Sequence, residues 1–270
     1  MNKHIFVFIR YSVVLKARKN NWIVGREEDF DGYKSRVFDI TRLKARRALF
    51  EKVTLSSIDR QTEMSNVTVV LLTSDELPEV EIDALRVLTK SRPWLKIKEL
   101  NEEEKNYERS INEEVKSLDS DLLYATVRLD DDDALAKDYF ARLGMFLDEA
   151  NVNRLVSFGM GYAGLFSEQH NGFTDFKRYY YPKIAIGLAK ISKYNKEKDS
   201  FSSGSIYADG KHTIVDQRSV LLLDSRDPAF VRLIHSSADT VGVHDKKIAK
   251  MDSVELDEVS SHFDFELLTK

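Results

Sequence analysis

Two runs, VTVVLLT (67–73) and LLYATVRL (122–129), are close to continuously apolar, so both faces of a strand built from them need cover. Strands of that kind belong to sheets sandwiched between helices. HIFVFI (4–9) and LKIKEL (95–100) read as two further strands. Helical patterns separate the four. One spans 41–60, where Leu43, Phe50, Val53, Leu55 and Ile58 make an apolar stripe, and others span 78–91 and 102–118. Strands alternating with helices make βαβ units, so the expected fold class is α/β, a Rossmann-like, mixed but mostly parallel sheet flanked by helices.

The alternation loosens in the second half. A helix is expected over 134–150, strands over 152–159, 176–182, 183–191 and 219–224, and a loop over SKYNKEKDSFSSGS (192–205). The acidic segment 251–270 has no clear pattern. Without repeats, low-complexity tracts or an evident linker, residues 1–270 are expected to form one domain, with a nucleotide-binding half over 1–135 and an acceptor half over 136–270.

The absence of cysteine removes disulfides, thiolate metal sites and cysteine nucleophiles together. A net charge of −4 argues against a general nucleic-acid binder. The longest uncharged run, LVSFGMGYAGLFS (155–167), is too short to span a bilayer, and the N-terminal residues lack a cleavage site, so a soluble, cytoplasmic protein is expected.

The candidate chemistry sits in RLDDDDAL (128–135), where Asp130, Asp131, Asp132 and Asp133 follow an apolar strand without a break. Two carboxylates about 4 Å apart repel by roughly 4 kcal/mol at a protein-like dielectric. Ligands of open parallel sheets bind outside the carboxyl ends of strands. Strand alternation would turn Asp130 and Asp132 to one face, and two carboxylates without cysteine suit a hard cation, Mn²⁺ or Mg²⁺, completed by substrate phosphates. The competing reading is a solvated acidic turn capping the next helix. An EF-hand is excluded, because Ala134, Leu135 and Ala141 stand where ligands and the glycine would be needed.

VRLDDDDALAKDYF resembles the acidic signature of GT-A glycosyltransferases. The block RLKARRALFEKVTLSSIDRQTEMSNVTVVLLTSDELP and the opening FIRYSVV resemble, more narrowly, the rhamnosyltransferase family of bacterial polysaccharide clusters. The resemblance runs from about residue 5 to 145 and implies a metal-dependent transferase of the GT-A fold. Its donor would be a nucleotide-sugar, and its acceptor a glycan or a lipid-linked glycan reached through peripheral membrane contact. It implies donor contacts at Arg10, Asp75, Arg128, Asp130 and Asp131, and metal ligands at Asp130, Asp132 and Asp133. It also implies that His212 in GKHTIV and His235 in VRLIHSSA complete the metal site or touch the diphosphate.

Transfer with inversion needs a base for the acceptor hydroxyl. Asp216, Asp209, Glu168 and Asp175 are all candidates by position and the spacing does not decide between them, with Asp216 carried forward as the candidate base, and RYYYP (178–182) offers either a sugar-stacking platform or a half-buried strand. Two other readings compete: a non-catalytic nucleotide- or glycan-binding module of the same fold, and a sugar-phosphate nucleotidyltransferase. The latter ordinarily carries a glycine-rich loop after its first strand, and RYSVVLKARKNN has no glycine.

Overall fold

The computed structural model describes residues 1–21, 28–167, 169, 172–235, 248 and 250–264. In chain order the strands are β1 (Asn2–Arg10), β2 (Val67–Ser74), β3 (Leu95–Leu100), β4 (Leu122–Asp130), β5 (Ala134–Leu135), β6 (Leu155–Phe158), β7 (Met160–Ser167), β8 (Gly172–Tyr180), β9 (Leu188–Asn195), β10 (Ser200–Phe201), β11 (Leu221–Asp224) and β12 (Phe230–Ile234). The helices are α1 (Phe30–Val37), α2 (Ile40–Leu49), α3 (Ser56–Asp59), α4 (Glu79–Thr89), α5 (Glu108–Lys116), α6 (Tyr139–Phe146) and α7 (Leu256–His262).

The main sheet runs β11-β6-β9-β4-β1-β2-β3, with β10 paired to β9. β3, β2, β1 and β4 are mutually parallel, while β9 is antiparallel to β4. Period-two geometry explains the unbroken apolar runs. Ile5, Val7 and Ile9 of β1 join Val69, Leu71, Ala125 and Val127 on one face. Phe6 and Phe8 join Val70, Leu72 and Tyr124 on the other. Leu43, Phe50, Leu55, Ile58, Ile82 and Leu85 cover the first face from the helices, and Ile111 and Val115 of α5 cover the second. Each large side chain buried in this way contributes about 1.5–3 kcal/mol.

The expected α/β sheet is therefore present, and several boundaries shift. The helix over 41–60 is continuous from α2 to α3 but widens into a π-helical turn at Phe50–Leu55. The helix over 102–118 starts only at Glu108. Instead of helix throughout 134–150, Ala134 and Leu135 pair with Val231 and Phe230 of β12, and α6 covers only Tyr139–Phe146. The strand placed over 183–191 begins at Leu188, after Gly187 takes the left-handed conformation at φ +69°. The expected loop over 192–205 contains the end of β9 and the hairpin to β10.

Of the second sheet, β5-β12-β7-β8, only β8 has a counterpart among the expected strands, the one over 176–182. It forms where glycines let backbones approach. A Cβ on Gly161 of β7 would lie 2.4 Å from the Phe230 carbonyl oxygen of β12. Ala163, Tyr179 and Phe230 of this sheet share one apolar cluster with Ile9 and Val127 of the main sheet.

Candidate functional site at the carboxyl ends of β1 and β4

From β1 the chain winds outward to β2 and β3, then returns to place β4 on the opposite flank of β1. The gap between β1 and β4 is thus the switch point where open α/β sheets bind ligands. Arg10 and Asp130, the last residues of these strands, are paired in register. Arg10 Nη2 donates to Asp130 Oδ1 at 2.6 Å, and Arg128 Nη2 lies 3.4 Å from Asp130 Oδ2. Burial alone would push the Asp130 carboxyl up, but Arg10 and Arg128 together outweigh it and hold the group well below the usual carboxylate range. Two guanidiniums thus face the one carboxylate of Asp130. The Nε–H of Arg10 and of Arg128 are both buried without a hydrogen-bond partner among the described residues. Such orphans cost about 1–3 kcal/mol until an acceptor arrives.

The four aspartates point in four directions, because strand alternation stops at Asp130 and a turn follows, with Asp133 N donating to Asp130 O at 3.5 Å. Asp131, 1% exposed, turns inward and takes both Nε (3.0 Å) and Nη2 of Arg46 from α2. Burial pushes its carboxyl up against the pull of Arg46. Asp133 is buried and accepts from Leu233 N of β12 at 3.1 Å, and burial with the fields of Asp132 and Asp130 pushes its carboxyl far up. Asp132, like Asp130, keeps a partly exposed side chain. Its side chain is 21% exposed and its Oδ2 lies 3.2 Å from His235 Nε2. None of the four caps a helix, since α6 begins at Tyr139.

The four carboxylates thus have different partners. Asp131 is engaged by Arg46 and Asp133 by the β12 backbone, so neither is turned to a donor or metal in the cleft. Asp130 has both oxygens on guanidiniums, and His212 uses Nδ1 on the Lys183 carbonyl at 2.6 Å. Among the described residues no group of three His, Asp or Glu side chains stands ready to hold a metal. Asp132 Oδ2 and His235 Nε2 stand together at 3.2 Å beside this cluster. That pair fits a hard cation that takes its other ligands from substrate phosphates and water, rather than a cage made by protein alone.

Asp75 is exposed just past β2, accepts from Asn101 Nδ2 at 2.9 Å and does not cap α4, whose cap position is Pro78. Asp216 is exposed, and both its oxygens lie on Lys183 Nζ, at 2.9 and 3.0 Å. Asp209 is buried against Lys190 (2.7 Å) and Ser219, and Asp175 pairs with Lys177 at 2.8 Å on the second sheet. Glu168 lies outside the described residues. In RYYYP, Tyr179 and Tyr181 stack with ring centroids 6.1 Å apart, Tyr180 is exposed, and Arg232 Nη1 donates to the Tyr179 hydroxyl at 3.0 Å.

Arg46 is not among the residues singled out from sequence above, although the sequence carries a signal for it. Arg46 stands three residues after Leu43 and four before Phe50, inside the apolar stripe, where a charge needs a buried partner. Tyr107 and Tyr207, whose rings meet at 5.0 Å beside Arg10, were also passed over and carry no motif.

A helix-covered sheet with a charged crevice at its switch point defines an α/β protein built to hold a polar ligand at its strand ends. Within that class the chain belongs to the family described as "Putative rhamnosyl transferase", whose model matches residues 4–247. No curated protein matches the chain. Among solved structures, S. aureus TarS 1–349 in complex with UDP is similar at a TM-score of 0.43 and 9% identity, covering 86% of this chain and 60% of that one. A further S. aureus TarS structure gives 0.42 and 14% identity, covering 87% of this chain and 37% of that one. A glucose-1-phosphate thymidylyltransferase from Bacillus anthracis, in complex with sucrose, gives 0.35 and 10% identity, covering 85% and 89%. The chain thus spans three-fifths or less of the TarS structures it resembles, and no ligand is assigned from likenesses of this size.

Proposed function

We propose that the protein is a glycosyltransferase of the GT-A type that moves a sugar from a nucleotide-sugar to a glycan or lipid-linked acceptor in bacterial surface polysaccharide synthesis. Family membership supports the reaction class, and the single observation that carries the site is the in-register Arg10–Asp130 pair at the switch point, with Asp132 and His235 beside it. Arg10 and Arg128 offer positive charge and unpaired N–H groups to the donor's phosphates or base. Asp75, just past the carboxyl end of the neighbouring β2, would meet the nucleoside. Asp132 and His235 would hold Mn²⁺ or Mg²⁺, which when bound supplies charge stabilisation to a leaving diphosphate. Tyr181 and the exposed Tyr180 provide aromatic surface on which an acceptor sugar can stack.

Among the described residues no helix is long and apolar enough to cross a membrane. We place the reaction in the cytoplasm, where nucleotide-sugars are made, with peripheral contact to the membrane if the acceptor is lipid-linked. The test is release of nucleoside diphosphate from a panel of nucleotide-sugars with Mn²⁺ or Mg²⁺. Release from one donor, raised by an acceptor glycan, is expected. Binding without release from any donor would favour the non-catalytic module.

A further inference from the structure

His212 makes one hydrogen bond, from Nδ1 to the Lys183 carbonyl oxygen at 2.6 Å. A carbonyl oxygen carries no proton, so Nδ1 must be the donor, and the neutral ring therefore keeps its lone pair on Nε2. The side chain is half-buried, and Nε2 is not among the buried unpaired atoms of the described residues, so it keeps some access to solvent. The ring sits 6.3 Å from that of Tyr181 and within the fields of Arg128 and Asp130 at the end of β4 and of Arg232 on β12. Its place is between the donor crevice and the aromatic surface.

We propose that His212 is the catalytic base of glycosyl transfer with inversion, receiving the acceptor's hydroxyl proton on Nε2. The assignment rests on the glycosyl-transfer reading above. As the proton moves to Nε2, the hydroxyl oxygen forms its bond to the donor's anomeric carbon. The bond from that carbon to the diphosphate breaks, and its electron pair leaves with the diphosphate. The imidazolium then returns its proton to water.

The charged and titratable groups around the ring are Lys183 and Tyr181 from the preceding segment, Asp216 on its own helical turn, Arg128, Asp130 and Arg232. Burial pushes the imidazole below its ordinary value. The Lys183 carbonyl and Asp130 oppose that shift, and Arg128 and Arg232 reinforce it. The ring is therefore neutral near pH 7 and able to accept a proton. Asp216 is the weaker base, because its hydrogen bond from Lys183 holds the carboxyl below its usual range.

With a turned-over donor and acceptor, His212→Ala should lower kcat about 10²–10⁴-fold, leave the donor KM within twofold, and regain part of the rate from added imidazole. Wild-type activity should fall with acid through a group below the ordinary imidazole value, a limb absent from the variant, and Asp216→Asn should stay within a few fold of wild type. His212→Ala within threefold of wild type, or a loss carried instead by Asp216→Asn, would overturn the proposal. ¹⁵N-histidine NMR gives a readout that needs no turnover. A neutral ring protonated at Nδ1 at pH 7 is expected, and a charged or Nε2-protonated ring overturns the proposal. If that tautomer is found but wild type releases nothing from any donor, the transfer reading fails and the base assignment goes with it.

Discussion

Arg10 and Asp130 end two adjacent parallel strands in register, and the guanidinium of one donates to the carboxylate of the other at 2.6 Å. The pair closes the sheet at the point where the chain reverses its winding, so it is both a structural tie and the floor of the crevice.

That pair makes stability depend on acid in a stated direction. The folded-state value of Asp130 is held below the unfolded one, first against burial and then by Arg10 and Arg128. The stabilisation is therefore present above about pH 4, the ordinary range of an unfolded Asp, and is lost as pH falls toward the depressed folded value. Removing Arg10 removes much of the depression. Urea titrations between neutral pH and pH 3 should show a shallower acid loss for Arg10→Met than for wild type. Parallel curves would contradict this assignment.

Arg46 and Asp131 form a buried pair, and truncating Arg46 takes its guanidinium from the buried carboxylate. Arg46→Met should cost about 3–5 kcal/mol in urea denaturation, whereas Arg46→Met with Asp131→Leu should recover most of the loss. An additive double variant would show that the two residues do not depend on each other.

Gly187 combines φ +69° with a neighbour that leaves no space, since a Cβ there would lie 2.7 Å from the Tyr139 ring. Its N–H donates to the Arg128 carbonyl at 2.9 Å, and its carbonyl accepts from the Tyr139 hydroxyl, so the turn also fixes the end of β4. Gly187→Ala should destabilise by more than about 1 kcal/mol in thermal or urea unfolding. A neutral result would mean that this turn is free to relax.

The parallel half of the fold was legible because each of its strands announces itself. Ile5, Val7 and Ile9 alternate with Phe6 and Phe8, and both sets need cover. Of the second sheet only β8 was legible, because β5 is two residues long and β7 is a glycine-broken run that reads equally as loop. At the site, the sequence located the aspartates but not their directions. A turn after Asp130 sends Asp131 to Arg46 and Asp133 to Leu233, and those partners are 85 and 100 residues away in the chain. No local periodicity carries such a contact. His235 is 103 residues from Asp132, and only a family resemblance connected the two before the structure did.

In the proposed donor site Asp132 supplies the carboxylate that would hold the cation. Titration calorimetry of nucleoside diphosphates, with and without Mn²⁺, against wild type and Asp132→Asn tests it directly. The account predicts one nucleotide bound per chain by wild type, tightened by Mn²⁺, and loss of that Mn²⁺ effect in a variant whose urea stability equals or slightly exceeds wild type. The stability follows because Asp132 no longer repels Asp131 and Asp133. An Asp132→Asn protein that still binds nucleotide with the full Mn²⁺ enhancement, or a wild type that binds no nucleoside diphosphate at all, would contradict it.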